Sequence, residues 1–207
     1  MFALVDKSDN SITKMLNGNK GITIGDNQYP RAIFTLWTES ERNAINIYTV
    51  TIDTSKRKDE QWYINTNITY AFDGTNATGS YGDATAKAHA DTTWTQEQID
   101  DGDAPDGADT DTVAVEGLKT KLIRTVKSQA EGILNRTDWY ITRKSEKNTA
   151  IPSAITTHRD AVRSKQTAME TAITNASDTP ALETLYTYTR QEDGSVTRPL
   201  GELPTLE

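Results

Sequence analysis

The chain reads as an α+β protein, a small N-terminal antiparallel β-rich domain followed by a C-terminal helical hairpin or small helical bundle. Three observations predict this. Before Ala84, apolar residues come in short runs that alternate with polar ones or are bounded by turn residues. After Val113 they recur every three or four residues. Between the two lies an acidic stretch with so few apolar side chains that neither pattern continues. The expected organisation is a β-rich domain over 1–84, an acidic linker or long loop over 85–112, a helical domain over 113–189 and an extended tail over 190–207.

In the first part, Phe2–Val5 and Ile12–Leu16 flank the polar cluster Asp6-Lys7-Ser8-Asp9-Asn10, which predicts a hairpin. Ile22-Thr23-Ile24 sits between Gly21 and Gly25. Thr38-Glu39-Ser40-Glu41 fits a capping box, with Thr38 as N-cap, and opens a short helix ending near Asn46. Tyr48-Thr49-Val50-Thr51-Ile52 alternates with period two, as a half-buried strand does. Trp62-Tyr63-Ile64 and Ile68–Phe72 follow, and Asp73-Gly74 is a hairpin turn signal because glycine supplies positive φ. Trp37, Trp62 and Phe72 fit a small core, the favoured reading, or an exposed platform for stacking sugar rings.

In the last part, Leu118, Leu122, Val126, Ala130 and Ile133 mark one face of a helix over about 115–134, with Lys119, Lys121, Arg124 and Lys127 between them. Thr137 is placed as N-cap of a second helix, whose first residue Asp138 puts negative charge at the positive end of the helix dipole. Pro152 suits the first turn of a third helix, in which Ile155, Val162, Met169 and Ala176 are spaced by seven and make one narrow apolar stripe. A stripe of that kind serves an antiparallel helical hairpin or a coiled-coil seam. Thr179 and Pro180 predict the N-cap and first residue of a short fourth helix through Leu182 and Leu185 to Tyr186.

The charge is local. The chain has 207 residues, 22 basic and 30 acidic side chains and a net charge of −8. From Ala88 to Leu118 there are nine carboxylates and no Lys or Arg, so this window carries −9 and everything outside it +1. Its centre, Ile99–Asp111, mixes Gly, Pro and like charges with almost no apolar residue and cannot bury enough surface to offset its ordering entropy. A calcium loop is disfavoured, because Pro105 follows Asp103 where a third ligand is wanted and no Glu closes a twelve-residue loop.

These features also limit the chemistry. Without cysteine there is no disulfide framework, thiolate nucleophile or Cys-based metal site, and His89 and His158 stand far apart in the chain. No Gly-rich phosphate loop is present, and paired carboxylates occur only in the acidic segment, where nothing rigid holds them at catalytic distance. No enzyme, cofactor or metal is therefore expected. Met1–Asp6 has no basic stretch before its few apolar residues, so no signal peptide is expected, and no apolar run is long enough for a transmembrane helix. Arg143, Lys144, Arg159, Arg163 and Lys165 make a basic surface, but nucleic-acid binding is disfavoured because the acidic segment repels phosphate.

Leu134, Thr137-Asp138-Trp139-Tyr140, Arg143, Glu146, Ile151-Pro152, Arg159 and Arg163 resemble the C-terminal helical segment of tailed-bacteriophage tail-fibre and tail-fibre-assembly proteins. Phe2–Val5, Tyr29–Phe34, Trp37–Glu41 and Thr197–Gly201 are similar to patches of small tail-associated phage proteins. The resemblance implies no catalytic residues. It implies a non-enzymatic structural component of the virion tail, made in the host cytoplasm, that assembles with other tail proteins and with copies of itself. The alternatives are a tail-fibre assembly chaperone absent from the virion and, from a different class, a host carbohydrate-binding module. On the first reading Trp139, Tyr140, Arg143, Arg159 and Arg163 are candidate interface residues.

Overall fold

Short alternating runs do build the strands of the N-terminal part. In the computed structural model, which describes residues 1–206, the chain divides into two units, Met1–Thr85 and Ala86–Glu207. The result is mixed α+β, with a β-rich N-terminal region and C-terminal helices.

The first unit contains β1 (Phe2–Asp6), β2 (Ser11–Leu16), β3 (Ile22–Ile24), β4 (Asn27–Tyr29), α1 (Ile33–Leu36), α2 (Glu39–Ala44), β5 (Ile47–Asp53), β6 (Tyr63–Ile64), β7 (Thr69–Phe72) and β8 (Ala77–Ser80). Five of these strands form one sheet in the order β2-β1-β5-β8-β7. β1 and β2 are the expected hairpin, and the Asp73-Gly74 turn joins β7 to β8, with Gly74 at φ 96° and the Asp73 carboxylate accepting the amides of Thr75 and Asn76. The sheet is not wholly antiparallel as expected, because β5 and β8 run parallel, Val50 opposite Ala77. The antiparallel edge of β5 is taken by β1, and the long stretch from Thr54 to Asn76 lets the chain cross over and return in the same direction.

Both faces of this sheet are covered. Ala3, Val5, Tyr48, Val50, Phe72 and Ala77 form one cluster, which Ile12 and Met15 of β2 and Tyr70 of β7 flank. The end strands β2 and β7 also approach one another, so the sheet curls around that cluster. On the opposite face Leu16 and Ile47 pack with Ile22, Ile33 and Phe34. The run Ile33–Leu36 is therefore a helical turn whose first two side chains plug the sheet. The capping box at Thr38 and Glu41 is complete in both directions.

The second unit holds β10 (Thr92–Thr93), α3 (Gln96–Asp100), β11 (Val113–Val115), α4 (Leu118–Asn135), α5 (Asp138–Lys147), α6 (Ser153–Asn175), α7 (Thr179–Tyr186), β12 (Thr189–Arg190) and β13 (Val196–Thr197), while β9 (Thr85–Ala86) lies at the boundary. Helix α4 packs along α6. Val126 and Ala130 of α4 and Val162, Met169 and Ile173 of α6 are buried, so the stripe spaced by seven is consumed inside the unit. Asp178, rather than Thr179, caps α7, accepting the amide of Ala181 at 2.8 Å. Thr179 is instead the first helical residue, and its buried hydroxyl donates to the Lys87 carbonyl.

Residues 190–206 do not stand off as an extended tail. Asp193-Gly194 turns the chain between β12 and β13, and Leu200 is buried at 3% exposure with its amide bonded to the Leu185 carbonyl. The Arg198 guanidinium lies 5.2 Å from the ring centres of both Tyr186 and Tyr188 and pairs with Glu202. The proline and glycine content that suggested an open tail supplies the turns, and one leucine and one arginine supply the anchors.

Candidate functional site

Helix α5 leaves most of its side chains unused by the fold. It runs from Asp138 to Lys147, and none of its residues is buried. A free helix of this length is marginal in water, so something must hold it. Its N-terminal end is held by Arg159 of α6. The Arg159 side chain is 9% exposed, and its Nη1 donates to the Leu134 carbonyl at 2.8 Å and the Thr137 hydroxyl at 2.7 Å and pairs with the Asp138 carboxylate at 2.8 Å. Thr137 occupies the predicted N-cap position, but its hydroxyl donates to the Leu134 carbonyl instead of accepting a helix amide. At the other end Asn148 adopts φ 52° and its amide bonds to the Lys144 carbonyl, while Lys144 and Lys147 sit in the last turn, where cations complement the helix dipole.

What α5 presents is aromatic and basic. The Trp139 and Tyr140 rings lie 3.8 Å apart at 32°, and the Arg143 guanidinium is 4.7 Å from the first and 5.2 Å from the second. Trp139 is 52% and Ile141 43% exposed. Among the described residues Arg143, Lys144 and Lys147 form no ion pair. An exposed ring beside a guanidinium that forms no ion pair, on a helix that also carries Lys144 and Lys147, suits a partner that brings both apolar contact and carboxylates.

The five residues predicted from sequence therefore separate. Trp139, Tyr140 and Arg143 are brought together. Arg159 is buried and supports α5 from beneath, and Arg163 lies exposed on α6, paired with Asp160 at 3.2 Å. Sequence reasoning passed over Ile141 and Lys147 as surface contributors. The signal for Lys147 was Asn148, whose tolerance of positive φ ends the helix just after the cations.

The acidic stretch belongs to the same unit, as a loop with tied ends. Thr92–Thr93 of β10 pairs with Val113–Val115 of β11. The segment before β10 also crosses the start of α4, where the Ala88 and His89 carbonyls accept the amides of Leu118 and Lys119. Asp91 accepts the Gly117 amide and the Thr120 hydroxyl, both at 2.7 Å, and the first of these bonds does most to hold its carboxyl below the usual range. A side chain at Gly117 would meet the Ala90 backbone at 2.3 Å, so glycine is required there. Asp91 and its neighbours thus do for α4 what an N-cap side chain would do. Beyond that base, Asp100, Asp101, Asp103, Asp106, Asp109 and Asp111 make no ion pair among the described residues.

The N-terminal aromatics do not form an open platform. Trp62 and Phe72 are buried, and Trp37 is half-buried with its ring edge-on to Tyr29 at 6.0 Å. Among the described residues no group of His, Asp and Glu is placed to hold a metal ion, and no helix is long and apolar enough to cross a membrane. No protein-family model, curated protein or solved structure matches the chain.

Proposed function

We propose that this protein is a non-enzymatic assembly component of a phage tail, a tail-fibre or tail-associated structural protein that works through protein–protein contacts in the virion after synthesis in the host cytoplasm. The observation that carries the assembly reading is α5, a helix with no buried residue that displays Trp139 and Ile141 beside Arg143. The tail assignment rests on the resemblance of the Leu134–Arg163 motif to tail-fibre proteins. On this reading the second unit is a small helical bundle built around the α4–α6 pair, and its purpose is to hold α5 outward.

A second reading, an assembly chaperone, is favoured by the same exposed ledge, since a transient partner also needs an accessible surface. Mass spectrometry of purified particles separates the two. The structural reading expects the chain in washed virions at a fixed ratio to the other tail proteins. Absence from the virion, with recovery on immature fibres, assigns the chaperone role. Absence from both overturns the tail reading.

A further inference from the structure

We infer that α5 is the docking site for the acidic loop of a second copy of this chain. The inference rests on the assembly reading of α5 and names its partner. The second unit is electrically divided. Residues 119–165, which span α4, α5 and the first half of α6, hold eleven Lys and Arg against four Asp and Glu, a net +7. The window 88–118 carries −9. Charges of opposite sign this concentrated would pair inside one chain if the fold brought them together, and almost none do. Glu116 with Arg124 is the one ion pair between the two regions among the described residues.

The unmatched groups correspond in kind. On α5 stand Arg143, Lys144 and Lys147, with Trp139 and Ile141 exposed beside them. On the loop, Asp101, Asp103 and Asp106 are unpaired, and at its base Val113 and Val115 are 44% and 61% exposed. An acidic loop with an apolar base complements a basic helix with an apolar ledge. The loop's ends are pinned by β10–β11 and by Asp91, so it meets a partner with part of its ordering entropy already spent. Because the two surfaces differ, the contact closes as a two-fold dimer where both pairings form reciprocally and otherwise propagates into a ring or a filament. A phosphate polymer on the same basic face is the competing occupant, and the −9 segment of the same chain opposes it.

Sedimentation velocity of the full chain tests this. The wild type should associate in about 0.01 M salt and dissociate in about 1 M salt, as the screening length falls from about 30 Å to about 3 Å. The loop variant Asp101→Lys/Asp103→Lys/Asp106→Lys should be monomeric, with its dissociation constant raised at least about tenfold, a loss of the size seen when close interfacial charge pairs are broken. The helix variant Arg143→Glu/Lys144→Glu/Lys147→Glu should behave the same way alone. Mixing the two variants should restore association, because each then offers the sign the other lacks. The loop variant alters no helix or strand, so it tests the pairing even if the helix variant folds poorly. A monomeric wild type in low salt, association of the loop variant equal to the wild type, or association that a nuclease abolishes would each overturn the inference. If the wild type is monomeric yet Trp139→Ala still blocks incorporation into particles, the self-pairing falls and the assembly reading stands. If the charge swap works but the protein is absent from particles and fibres, the self-pairing stands and the tail reading falls.

Discussion

Replacing Arg159 by methionine should detach α5 without dissolving the core of the second unit. Arg159 donates to two acceptors held in a dry environment, the Leu134 carbonyl and the hydroxyl of Thr137, which is 3% exposed. Charge-assisted bonds of this kind are worth about 1.5–3 kcal/mol each, and the low end applies because the Leu134 carbonyl also receives the Thr137 amide and hydroxyl. The pair with Asp138, whose side chain is 51% exposed, adds under about 0.5 kcal/mol. Methionine fills most of the volume and recovers about 1 kcal/mol by apolar burial. The net loss is about 2–3 kcal/mol, or a fall of about 8–12 °C in Tm at roughly 4 °C per kcal/mol for a unit of this size. Far-ultraviolet circular dichroism during heating reads the helical transition, and hydrogen exchange reads α5 directly, where amides should exchange faster than those of α4 or α6. Arg159→Lys should recover less than half of the loss, since Nη1 makes all three contacts and the lysine ammonium ends one bond short of it. A loss below about 1 kcal/mol, or a lysine variant equal to the wild type, would refute the account of Arg159 as the clasp of α5.

Other expectations concern the anchoring of the loop and the core. The lowered pKa of Asp91, caused first by the Gly117 amide and then by the Thr120 hydroxyl, means that its contribution to stability is complete above the unfolded carboxylate pKa and is lost as pH falls through the lower folded value. Acid titration of the second unit should therefore show Asp91→Asn less stable than the wild type at neutral pH, with the two curves converging in strong acid. Gly117→Ala, which pushes a Cβ into the Ala90 backbone, should cost about 1–3 kcal/mol in urea unfolding and loosen β10–β11 pairing in hydrogen exchange. Leu182→Ala, at a fully buried position of α7, should cost about 2–5 kcal/mol in urea unfolding of the second unit.

The parts of the fold that could be read from sequence are those decided within a few residues. The capping box at Thr38 and the Asp73-Gly74 turn depend on local chemistry, and each is where the residues placed it. The parallel pairing of β5 with β8 depends on which edge of β5 is already occupied by β1, a fact no local window contains. The fate of residues 190–206 was hidden for the same reason. Leu200 and Arg198 look unremarkable in sequence, and only the position of Leu185, Tyr186 and Tyr188 turns them into anchors. In the candidate site the Trp139, Tyr140 and Arg143 group was legible because spacings of three and four residues put Arg143 within reach of both rings. Arg159 was grouped with them by charge, and burial reassigns it, since periodicity alone cannot separate a surface cation from one that bonds a helix end from below.

The arrangement of charge gives the strongest reason to regard this chain as one part of an assembly. Carboxylates spread over the surface would serve solubility and would repel one another less. Here they are gathered on one loop between Asp100 and Asp111, at spacings that bring like charges within a screening length. That repulsion disfavours the loop in the isolated chain. The same unit then places uncompensated cations on α5, where no buried residue ties them to the fold. Two unfavourable features of opposite sign on one molecule relieve each other when a neighbour supplies the missing charge, and Arg124 with Glu116 shows the pairing on a small scale. A chain with 35% hydrophobic residues and its apolar stripe on α6 already spent internally has little unused core with which to associate. If copies pair as proposed, the groups that join them are the cations and exposed ring of α5 and the carboxylates of the acidic loop.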